Sequence, residues 1–534
     1  MIRRRPPHDL YRASPGMVVV AVLVAVVFAA PLGYLVARTA TTDLDHGALI
    51  TSERTLRPLA RTLGLATGVA LAASVLGTSI AWITTRTDLP FRRAVRVVAT
   101  MPLVIPSFVG SFALLAALGP HGVLSDVPLV GSLPRPTGFF GALGVLTLLT
   151  YPYVLLPVAA RLRALPASLE EGARLLGRGP WRVFATVVIP QIRAAIMAGA
   201  LLVFLYVVSD FGAVSMLRYR TLSVTIFENR LVNQPVSLTL GLLLGLIAVA
   251  VVAAERWLVR RDPLPPSMSS SQPVEVRLGR WKVVAGGAMG AVIVAALVVP
   301  ISALATWAWR GLTTDVVHIG IDDLSLAALA RPSWNSASVS LIAAIVAVGL
   351  LWPLAFLTTR SHSRIGSAAG IMVTSGFALP GLVIALSLVF WALQSDLIAP
   401  FYQTMPLLVL GYVVHFGAQA LQAANVAVGA VPRRFDDAAR LLGASRARRL
   451  LTVDLPLMLP GLAAGAGLVL LSAMKELPAT LLLAPTGFDT LATRIWSAAE
   501  DGFLAEAGLA SMVLVAVSSV LTWLLVIRRA DRLA

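Results

Sequence analysis

Two short charged segments interrupt an otherwise apolar chain, and both carry the same spacing of acid, glycine and proline. The first, EEGARLLGRGPWRVFATVVIP, begins at Glu170, and the second, DDAARLLGASRARRLLTVDLP, begins at Asp436. An acidic residue suits the first turn of a helix, and a glycine commonly ends one. The spacing therefore predicts a short helix, a sharp turn and a second helix that re-enters the apolar region. Such an element is suited to docking into a groove on another protein.

The candidate docking residues are the positions that the two segments share. The segments align without a gap, and the shared positions are Glu171, Ala173, Gly177 and Pro190 in the first copy and Asp437, Ala439, Gly443 and Pro456 in the second. Gly172 stands where the second copy has Ala438, which weakens the first short helix by roughly 1 kcal/mol.

A second group of ionisable residues, Asp210, Lys475 and Glu476, follows the apolar run after each charged segment. Asp210 aligns with Glu476 in the same register as the charged segments. Ionisable groups at membrane depth are costly and usually pair or line a water-filled path. We interpret these three residues as part of a translocation path or gate. The alternative is that they are boundary charges that extend to the interface.

The residue inventory excludes several chemistries. The chain has no cysteine, which rules out disulfides, thiolate metal sites and cysteine nucleophiles. Its six histidines are scattered without metal-ligand spacing, and no G-x-x-x-x-G-K-[ST] phosphate loop occurs. The sequence therefore predicts no catalytic residues, no metal site and no cofactor bound by this chain, and it does not indicate an enzyme.

Composition indicates a membrane protein. The chain is 57% hydrophobic and only 13% charged, whereas soluble domains carry about 25% charged residues. The net charge of +17 would favour nucleic-acid binding in a soluble protein. Here the arginines lie mainly in short loops between apolar runs, which is typical of cytoplasmic membrane loops. We therefore expect contact with a lipid bilayer and none with nucleic acid.

About twelve apolar runs are long enough to span a bilayer as helices. They lie near 16–37, 63–85, 95–118, 139–161, 192–214, 236–256, 283–307, 337–358, 369–393, 405–428, 458–483 and 504–527. The predicted fold class is therefore an all-α polytopic membrane protein with two six-helix repeats. The first run is read as a retained span and not as a signal peptide.

The placement of arginines predicts the orientation of these spans. Arginine-rich loops, the central linker, both termini and both charged segments fall on one side, which is then cytoplasmic. The opposite loops are mixed, since Asp43, Asp45 and Glu53 stand beside Arg54, Arg57 and Arg61. One outer loop, with Arg218, Arg220 and Arg230, fits the rule poorly.

Further matches extend the internal repeat. ITTRTDLP resembles LTTRSHSR and pairs Arg86 with Arg360, while LVIPSFV resembles FALPGLV and pairs Pro106 with Pro380. An even number of spans separates the copies, so the halves form a parallel repeat. The predicted domains are an N-terminal half at 1–258 with the charged loop 166–190, a flexible cytoplasmic linker at 259–282, and a C-terminal half at 283–534 with the charged loop 432–456.

The charged segments resemble the signature loop of permease subunits of bacterial ATP-binding-cassette (ABC) importers. That signature is E-A-A, three residues, G, nine residues and I-x-L-P; the departures here are Gly172 and Asp437. The resemblance implies that the shared positions form coupling helices for two copies of a cytoplasmic ABC ATPase. It also implies alternating access in a bacterial inner membrane, a substrate-binding protein outside, and ATP use by the ATPase alone.

The stretch SAMKELPATLLLAPTGFDTLATRIW, from Ser472 to Trp496, resembles permeases of the ferric-iron import family, as does the fusion of two halves in one chain. On the functional interpretation of the ionisable groups, Asp210, Lys475 and Glu476 line the gate or contact the binding protein. Related fused permeases carry thiamine, and more distant ones carry phosphonates, polyamines or sulfate, so these substrates remain alternatives.

An alternative of a different class is a proton-coupled secondary transporter, which also has about twelve spans in two parallel halves. Such a transporter would not need two coupling loops. It commonly carries intramembrane acids or histidines, and here only His415 lies clearly inside a predicted span.

Overall fold

The computed structural model describes residues 15–119, 121–125, 127–128, 136–261, 275–313, 326–361, 363–376, 379–522 and 524. Within these ranges the regular elements are helices, apart from one isolated bridge between Thr87 and Val276. The structure confirms the all-α polytopic fold class.

The helices α1–α13 belong to the first half of the sequence and α14–α25 to the second. In the first half they are α1 (Pro15–Thr41), α2 (His46–Thr51), α3 (Glu53–Arg86), α4 (Arg92–Val98), α5 (Ser107–Leu118), α6 (Gly138–Thr150), α7 (Pro152–Ala164), α8 (Ala167–Leu175), α9 (Pro180–Val183), α10 (Ile189–Ser209), α11 (Gly212–Met216), α12 (Leu222–Asn229) and α13 (Gln234–Arg261). In the second half they are α14 (Trp281–Ile293), α15 (Val299–Thr313), α16 (Ala330–Thr359), α17 (Arg364–Gly376), α18 (Gly381–Gln394), α19 (Met405–Ala430), α20 (Arg433–Leu441), α21 (Arg446–Arg449), α22 (Leu455–Ala473), α23 (Pro478–Leu483), α24 (Leu491–Glu500) and α25 (Leu504–Thr522).

The number of uninterrupted spans is lower than the twelve expected. The described residues contain ten continuous helical segments long and apolar enough to cross a membrane, and one bent pair that could form an eleventh span. Both differences fall at the third expected span of a half. Residues 92–118 form two helical segments bent by 97°, and the expected span 369–393 is divided between α17 and α18.

Proline explains both breaks. Pro106 directly precedes α5 and Pro380 directly precedes α18. Proline lacks a backbone N–H and forces the residue before it into an extended conformation, which ends a helix. Ile105 has this conformation, with φ −80° and ψ 118°. The repeat therefore places the same helix break in both halves.

The chain divides into two compact units that do not coincide with the two sequence halves. The N-repeat unit comprises Asp45–Leu324 and Ile495–Val515, and the C-repeat unit comprises Met1–Leu44, Ser325–Arg494 and Ala516–Ala534. In the C-repeat unit α1 packs on α16 and α17, and in the N-repeat unit α15 packs on α5. Each unit thus includes the first spanning helix of the other half. The domain boundaries drawn from the sequence stay a prediction.

Each unit is built around three mutually packed helices. These are α3, α7 and α10 in the N-repeat unit and α16, α19 and α22 in the C-repeat unit. Small residues allow close approach, as is usual between membrane helices. A Cβ on Gly77 would lie 2.7 Å from the carbonyl oxygen of Tyr151, and one on Gly461 would lie 2.7 Å from the Cβ of Ala427.

One hydrogen bond recurs between matched positions of the two units. The backbone N–H of Leu222 donates to the hydroxyl of Thr62, and the backbone N–H of Leu491 donates to the hydroxyl of Ser336, both at 2.8 Å. Leu222 and Leu491 are the first residues of α12 and α24. A side-chain hydroxyl of the long helix therefore fixes the start of a short helix in each repeat.

The end of the central linker is held in place, whereas the sequence predicted a flexible connection over 259–282. The N–H of Val276 donates to the carbonyl oxygen of Arg86 at 2.8 Å, and the N–H of Leu278 donates to the carboxylate of Asp88 at 2.9 Å. Lys282 forms an ion pair with Asp88 at 2.7 Å. The hydrogen bond from Leu278 and then that from Lys282 lower the pKa of Asp88. Residues 262–274 lie outside the described part.

Candidate functional site

The two charged segments fold as the sequence predicts, into a short helix that ends at a glycine turn. The short helices are α8 and α20, and the turns contain Gly177 with φ +75° and Gly443 with φ +79°. These left-handed angles favour glycine over residues with a Cβ. The N–H of Arg178 donates to the carbonyl oxygen of Ala173 at 3.2 Å, and that of Ala444 to the carbonyl oxygen of Ala439 at 3.1 Å. Both turns are therefore Schellman motifs.

The second part of each segment also repeats. A one-turn helix, α9 or α21, leads into a five-residue π-helical turn at Phe184–Val188 or Leu450–Asp454. Pro190 and Pro456 then lie in the first turns of α10 and α22, where the missing N–H is tolerated. Single π-helical turns are rare and often mark functional sites. The repeat preserves this distortion at the same position.

A buried ion pair attaches α8 to the end of α3. Arg86 lies 3.0 Å from Glu170, and their side chains are 0% and 1% exposed. Arg86 also donates a hydrogen bond to the carbonyl oxygen of Leu162, in the last turn of α7, at 2.7 Å. Burial raises the pKa of Glu170, while the charge of Arg86 opposes that shift. The guanidinium therefore joins the end of α3, the last turn of α7 and α8.

The second copy uses the matching arginine with a different acid. Arg360 pairs with Asp454 at 3.1 Å, with side chains 3% and 4% exposed, and donates to the carbonyl oxygen of Val431 at 3.2 Å. Asp436, which aligns with Glu170, pairs instead with Arg449 at 2.8 Å. The sequence alignment shows why the partners differ.

In the first copy, valines occupy the positions of Asp454 and Arg449, namely Val188 and Val183. Glu170 is therefore the acid that remains to pair with Arg86. In the second copy, two acids and two arginines form two pairs. Each copy thus neutralises its buried arginine with one carboxylate taken from the charged segment.

The pairing of Arg86 and Arg360 with carboxylates of the charged segments was not predicted from the sequence, where both residues counted among the loop arginines that orient the protein. The structure buries both. The signal that could have revealed the pairs was the alignment of the two arginines in ITTRTDLP and LTTRSHSR. Orientation in the membrane requires only a positive charge near the end of a span, so it does not explain why both arginines keep the same position. The buried acid, Glu170, adjoins the predicted residue Glu171.

The predicted docking residues lie mostly on the outside of the charged segments. Glu171, Asp437, Gly177, Gly443, Pro190 and Pro456 are exposed, Ala173 is buried and Ala439 is half-buried. Two leucines stand beside each turn glycine. Leu175 and Leu176 are 89% and 81% exposed, and Leu441 and Leu442 are 89% and 87% exposed. The same apolar pair therefore projects from both segments.

Asp210 lies at the bend between α10 and α11, in the N-repeat unit. It accepts hydrogen bonds from the hydroxyl of Ser107 and from the N–H groups of Ala213, at 3.0 Å, and Val214, at 3.3 Å. Its side chain is buried. The carboxylate thus caps α11 and joins it to the start of α5.

Glu476 occupies the matching bend between α22 and α23, in the C-repeat unit. It accepts a hydrogen bond from the N–H of Ala479 at 3.1 Å and lies 3.6 Å from Nε2 of His415. A Cβ at Gly381 would be 2.6 Å from the carboxylate. Gly381 aligns with Ser107, so the longer acid fills the space that serine occupies in the other copy. Lys475 is half-buried at the same bend.

The structure therefore brings Lys475 and Glu476 together and adds His415 to them. It places Asp210 at the matching bend of the other unit. The described residues contain no group of three or more His, Cys, Asp or Glu side chains arranged to hold a metal ion. The role of these residues in a path or gate stays a prediction.

Two repeats of membrane helices, each with a helix–turn–helix element at the same position of the repeat, are the architecture of a polytopic membrane protein. The family model described as binding-protein-dependent transport system inner membrane component matches residues 73–261 and 346–533, more than half of the chain. The chain belongs to this family. It is therefore a multi-pass membrane permease of the ABC-importer type, a class that works with ATPase and binding-protein partners.

Individual relatives share different portions of the chain. The Fe(3+)-transport system permease protein FbpB 2 of Haemophilus influenzae is 28% identical over 98% of both chains. The molybdenum transport system permease protein ModB of Azotobacter vinelandii is 34% identical over 33% of this chain and 82% of its own. A probable ABC transporter permease protein, y4fN of Sinorhizobium fredii, is 23% identical over 82% of this chain and 80% of its own.

The buried ion pair predicts different effects at two adjacent glutamates. Glu170→Gln should lower the free energy of unfolding by about 3 kcal/mol, because it leaves Arg86 buried without a counter-charge. The matched variant Glu171→Gln changes an exposed side chain and should stay within about 0.5 kcal/mol of wild type. Thermal unfolding of the purified protein in detergent measures both. Equal shifts in the two variants would contradict a stabilising role for the Arg86–Glu170 pair.

Proposed function

We propose that the chain forms the translocation path for ferric iron, delivered by an extracytoplasmic binding protein and driven by two copies of a cytoplasmic ABC ATPase. The ATPase subunits dock on the segments 166–190 and 432–456, and both termini of the permease are cytoplasmic. ATP is bound and hydrolysed by the ATPase, and the permease has no catalytic residue. This assignment agrees with the segments' resemblance to coupling loops.

The observation that carries the docking proposal is the pair of exposed leucines on each charged segment. Large apolar side chains that project from a polar helix–turn–helix element are unfavourable in water, and such patches commonly mark protein interfaces. The pair is present in both copies, as two identical docking partners require. Positive charges flank it, with Arg174 and Arg178 in one copy and Arg440 in the other.

The buried arginines support a rigid connection between the docked ATPase and the membrane helices. Arg86 holds α8 against α3, and Arg360 holds the end of the second segment against α16. A displacement of a coupling helix would therefore move a long spanning helix with it. This arrangement suits alternating access, in which ATP-driven closure of the ATPases changes the side on which the permease opens.

Ferric iron is favoured as substrate by the relative from Haemophilus influenzae, which matches this chain over nearly its full length. The molybdenum permease matches only a third of the chain, although its identity is higher. A molybdenum or thiamine permease of the same architecture is the second candidate.

The exposed leucines generate the first functional prediction. Leu175→Ser combined with Leu441→Ser should weaken binding of the ATPase subunit roughly tenfold or more, because two apolar side chains lose a buried partner. Pull-down or light scattering with the purified ATPase measures this. Leu397→Ser, which changes an equally exposed leucine in the loop after α18, serves as the control and should bind normally. Normal binding by the double variant would refute leucine-mediated docking.

The exposed acids Glu171 and Asp437 generate the second functional prediction. Glu171→Ala combined with Asp437→Ala should uncouple transport from ATP use, so that proteoliposomes hydrolyse ATP but import little substrate. The exchange variant Glu171→Asp with Asp437→Glu keeps one acid in each copy and should transport near the wild-type rate. If the alanine variant imports at the wild-type rate, these acids have no coupling role.

The substrate is tested by uptake in a strain that lacks the gene for this chain. Loss of ferric uptake with intact molybdate and thiamine uptake is expected, and a plasmid carrying the wild-type gene should restore it. Loss of molybdate or thiamine uptake instead would overturn the iron assignment while leaving the permease class intact. Continued ferric uptake in membrane vesicles without ATP, driven by a proton gradient, would favour a secondary transporter.

A further inference from the structure

The N-repeat unit contains a cavity of about 550 Å³ lined by α2, α3, α12 and α13. Its polar lining includes the arginines Arg54, Arg57, Arg61 and Arg220, together with one acidic residue, Glu53. The volume is in the range of small-molecule sites, about 300–1,000 Å³. Arg220 belongs to the outer loop that fits the positive-inside rule poorly.

Two of the four arginines are already neutralised. Arg57 pairs with Glu53 at 3.1 Å, and Arg220 pairs with Glu228 at 2.6 Å. Within the described part of the chain, Arg54 and Arg61 have no acidic partner. Arg61 instead lies 6.0 Å from the ring centre of Tyr219. The cavity therefore keeps an uncompensated positive charge.

A buried hydroxyl adds a second, independent sign of a ligand. Thr55 lines the same cavity and is only 1% exposed, and its Oγ1 has no hydrogen-bond partner among the described residues. Buried polar atoms are nearly always hydrogen-bonded, and an unsatisfied one costs about 1–3 kcal/mol. The oxygen is covered in this structure, so an oxygen-bearing ligand in the cavity would satisfy it after a small shift of the cavity wall.

The other repeat provides an internal comparison. Aligned through Pro58 and Pro332, the C-repeat unit has Ala328, Leu329 and Asn335 in place of Arg54, Thr55 and Arg61. Asp489 precedes Thr490 just as Arg220 precedes Thr221. The C-repeat unit therefore keeps its fold without the threonine and with no arginine at three of the four positions, while Arg331 retains the position of Arg57.

We propose that this cavity binds a small oxyanion with several carboxylate or phosphate oxygens, held by Arg54 and Arg61 and by the hydroxyl of Thr55. Guanidinium groups bind such oxygens through paired, charge-assisted hydrogen bonds. The cavity lies at the first turns of α3, whose positive dipole end also favours an anion. Since α3 has 34 residues and Arg86 at its other end contacts α8, about 50 Å separates the site from the coupling helix.

Binding is tested with the full-length chain in nanodiscs of phosphatidylcholine, using citrate and inorganic phosphate as probes in calorimetric titrations. Wild type should bind citrate saturably. Arg54→Gln combined with Arg61→Gln should weaken binding at least roughly tenfold, and Thr55→Val, which keeps every charge, should weaken it roughly threefold or more.

The matched control is Arg331→Gln, which removes an exposed arginine at the C-repeat position aligned with Arg57. It should bind citrate like wild type. No saturable binding of either probe by wild type, or equal weakening in the control, would overturn the proposal. The proposal would also be overturned if the arginine variant lost citrate binding and Thr55→Val did not. Simple surface charge would then account for the binding.

The source of the oxyanion is distinguished by a second set of nanodiscs that contain phosphatidylglycerol. Competition between this lipid and citrate, abolished by Arg54→Gln with Arg61→Gln, identifies a lipid phosphate as the occupant. Citrate binding that is unaffected by the lipid identifies a dissolved anion. A third outcome is that the arginine variant loses binding of an acidic partner protein while its citrate binding is unchanged. The arginines would then form a docking surface, and the proposed oxyanion site would be refuted.

Discussion

Both charged segments depend on a buried arginine at the end of a long spanning helix. A guanidinium removed from water requires a carboxylate and further acceptors, and Arg86 and Arg360 each obtain a carboxylate and a backbone carbonyl from the region of the charged segment. This need fixes where the segment sits, because any displacement would leave the charge unpaired. Such a pair matters mainly because breaking it is costly. That cost makes the pair suitable for transmitting a movement between the two elements that it joins.

The backbone of Arg86 extends the same connection to the linker. Its side chain holds α8, and its carbonyl oxygen accepts the N–H of Val276, just ahead of α14. In the N-repeat unit α8, the end of α3 and the start of the second half therefore meet within a few residues. Asp88 reinforces the junction through Leu278 and Lys282. The linker thus ends as a structural part of the unit and does not simply tether one half to the other.

Local chemistry made much of this fold predictable. Span positions followed from hydropathy, and the turns at Gly177 and Gly443 followed from glycine spacing, because both are properties of neighbouring residues. The breaks at Pro106 and Pro380 were also visible in the repeat, but the long apolar runs around them favoured a continuous span. The partners of Arg86 and Arg360 were not predictable, since Glu170 and Asp454 occupy different positions in the two copies and only three-dimensional packing selects between them.

The two repeats show how a constraint survives when its residues change. Arg86 takes Glu170 because Val188 replaces the acid that serves Arg360, and Asp210 with Ser107 fills the volume that Glu476 fills against Gly381. In each case a substitution in one copy is matched by a second change that keeps a charge neutral or a space filled. At the position of Arg61, Asn335 donates a hydrogen bond to the carbonyl oxygen of Asp489, whereas Arg54 and Thr55 are replaced by Ala328 and Leu329 without such a counterpart. Residues that the fold needs are compensated between repeats, so uncompensated residues in one repeat point to a ligand and not to the fold.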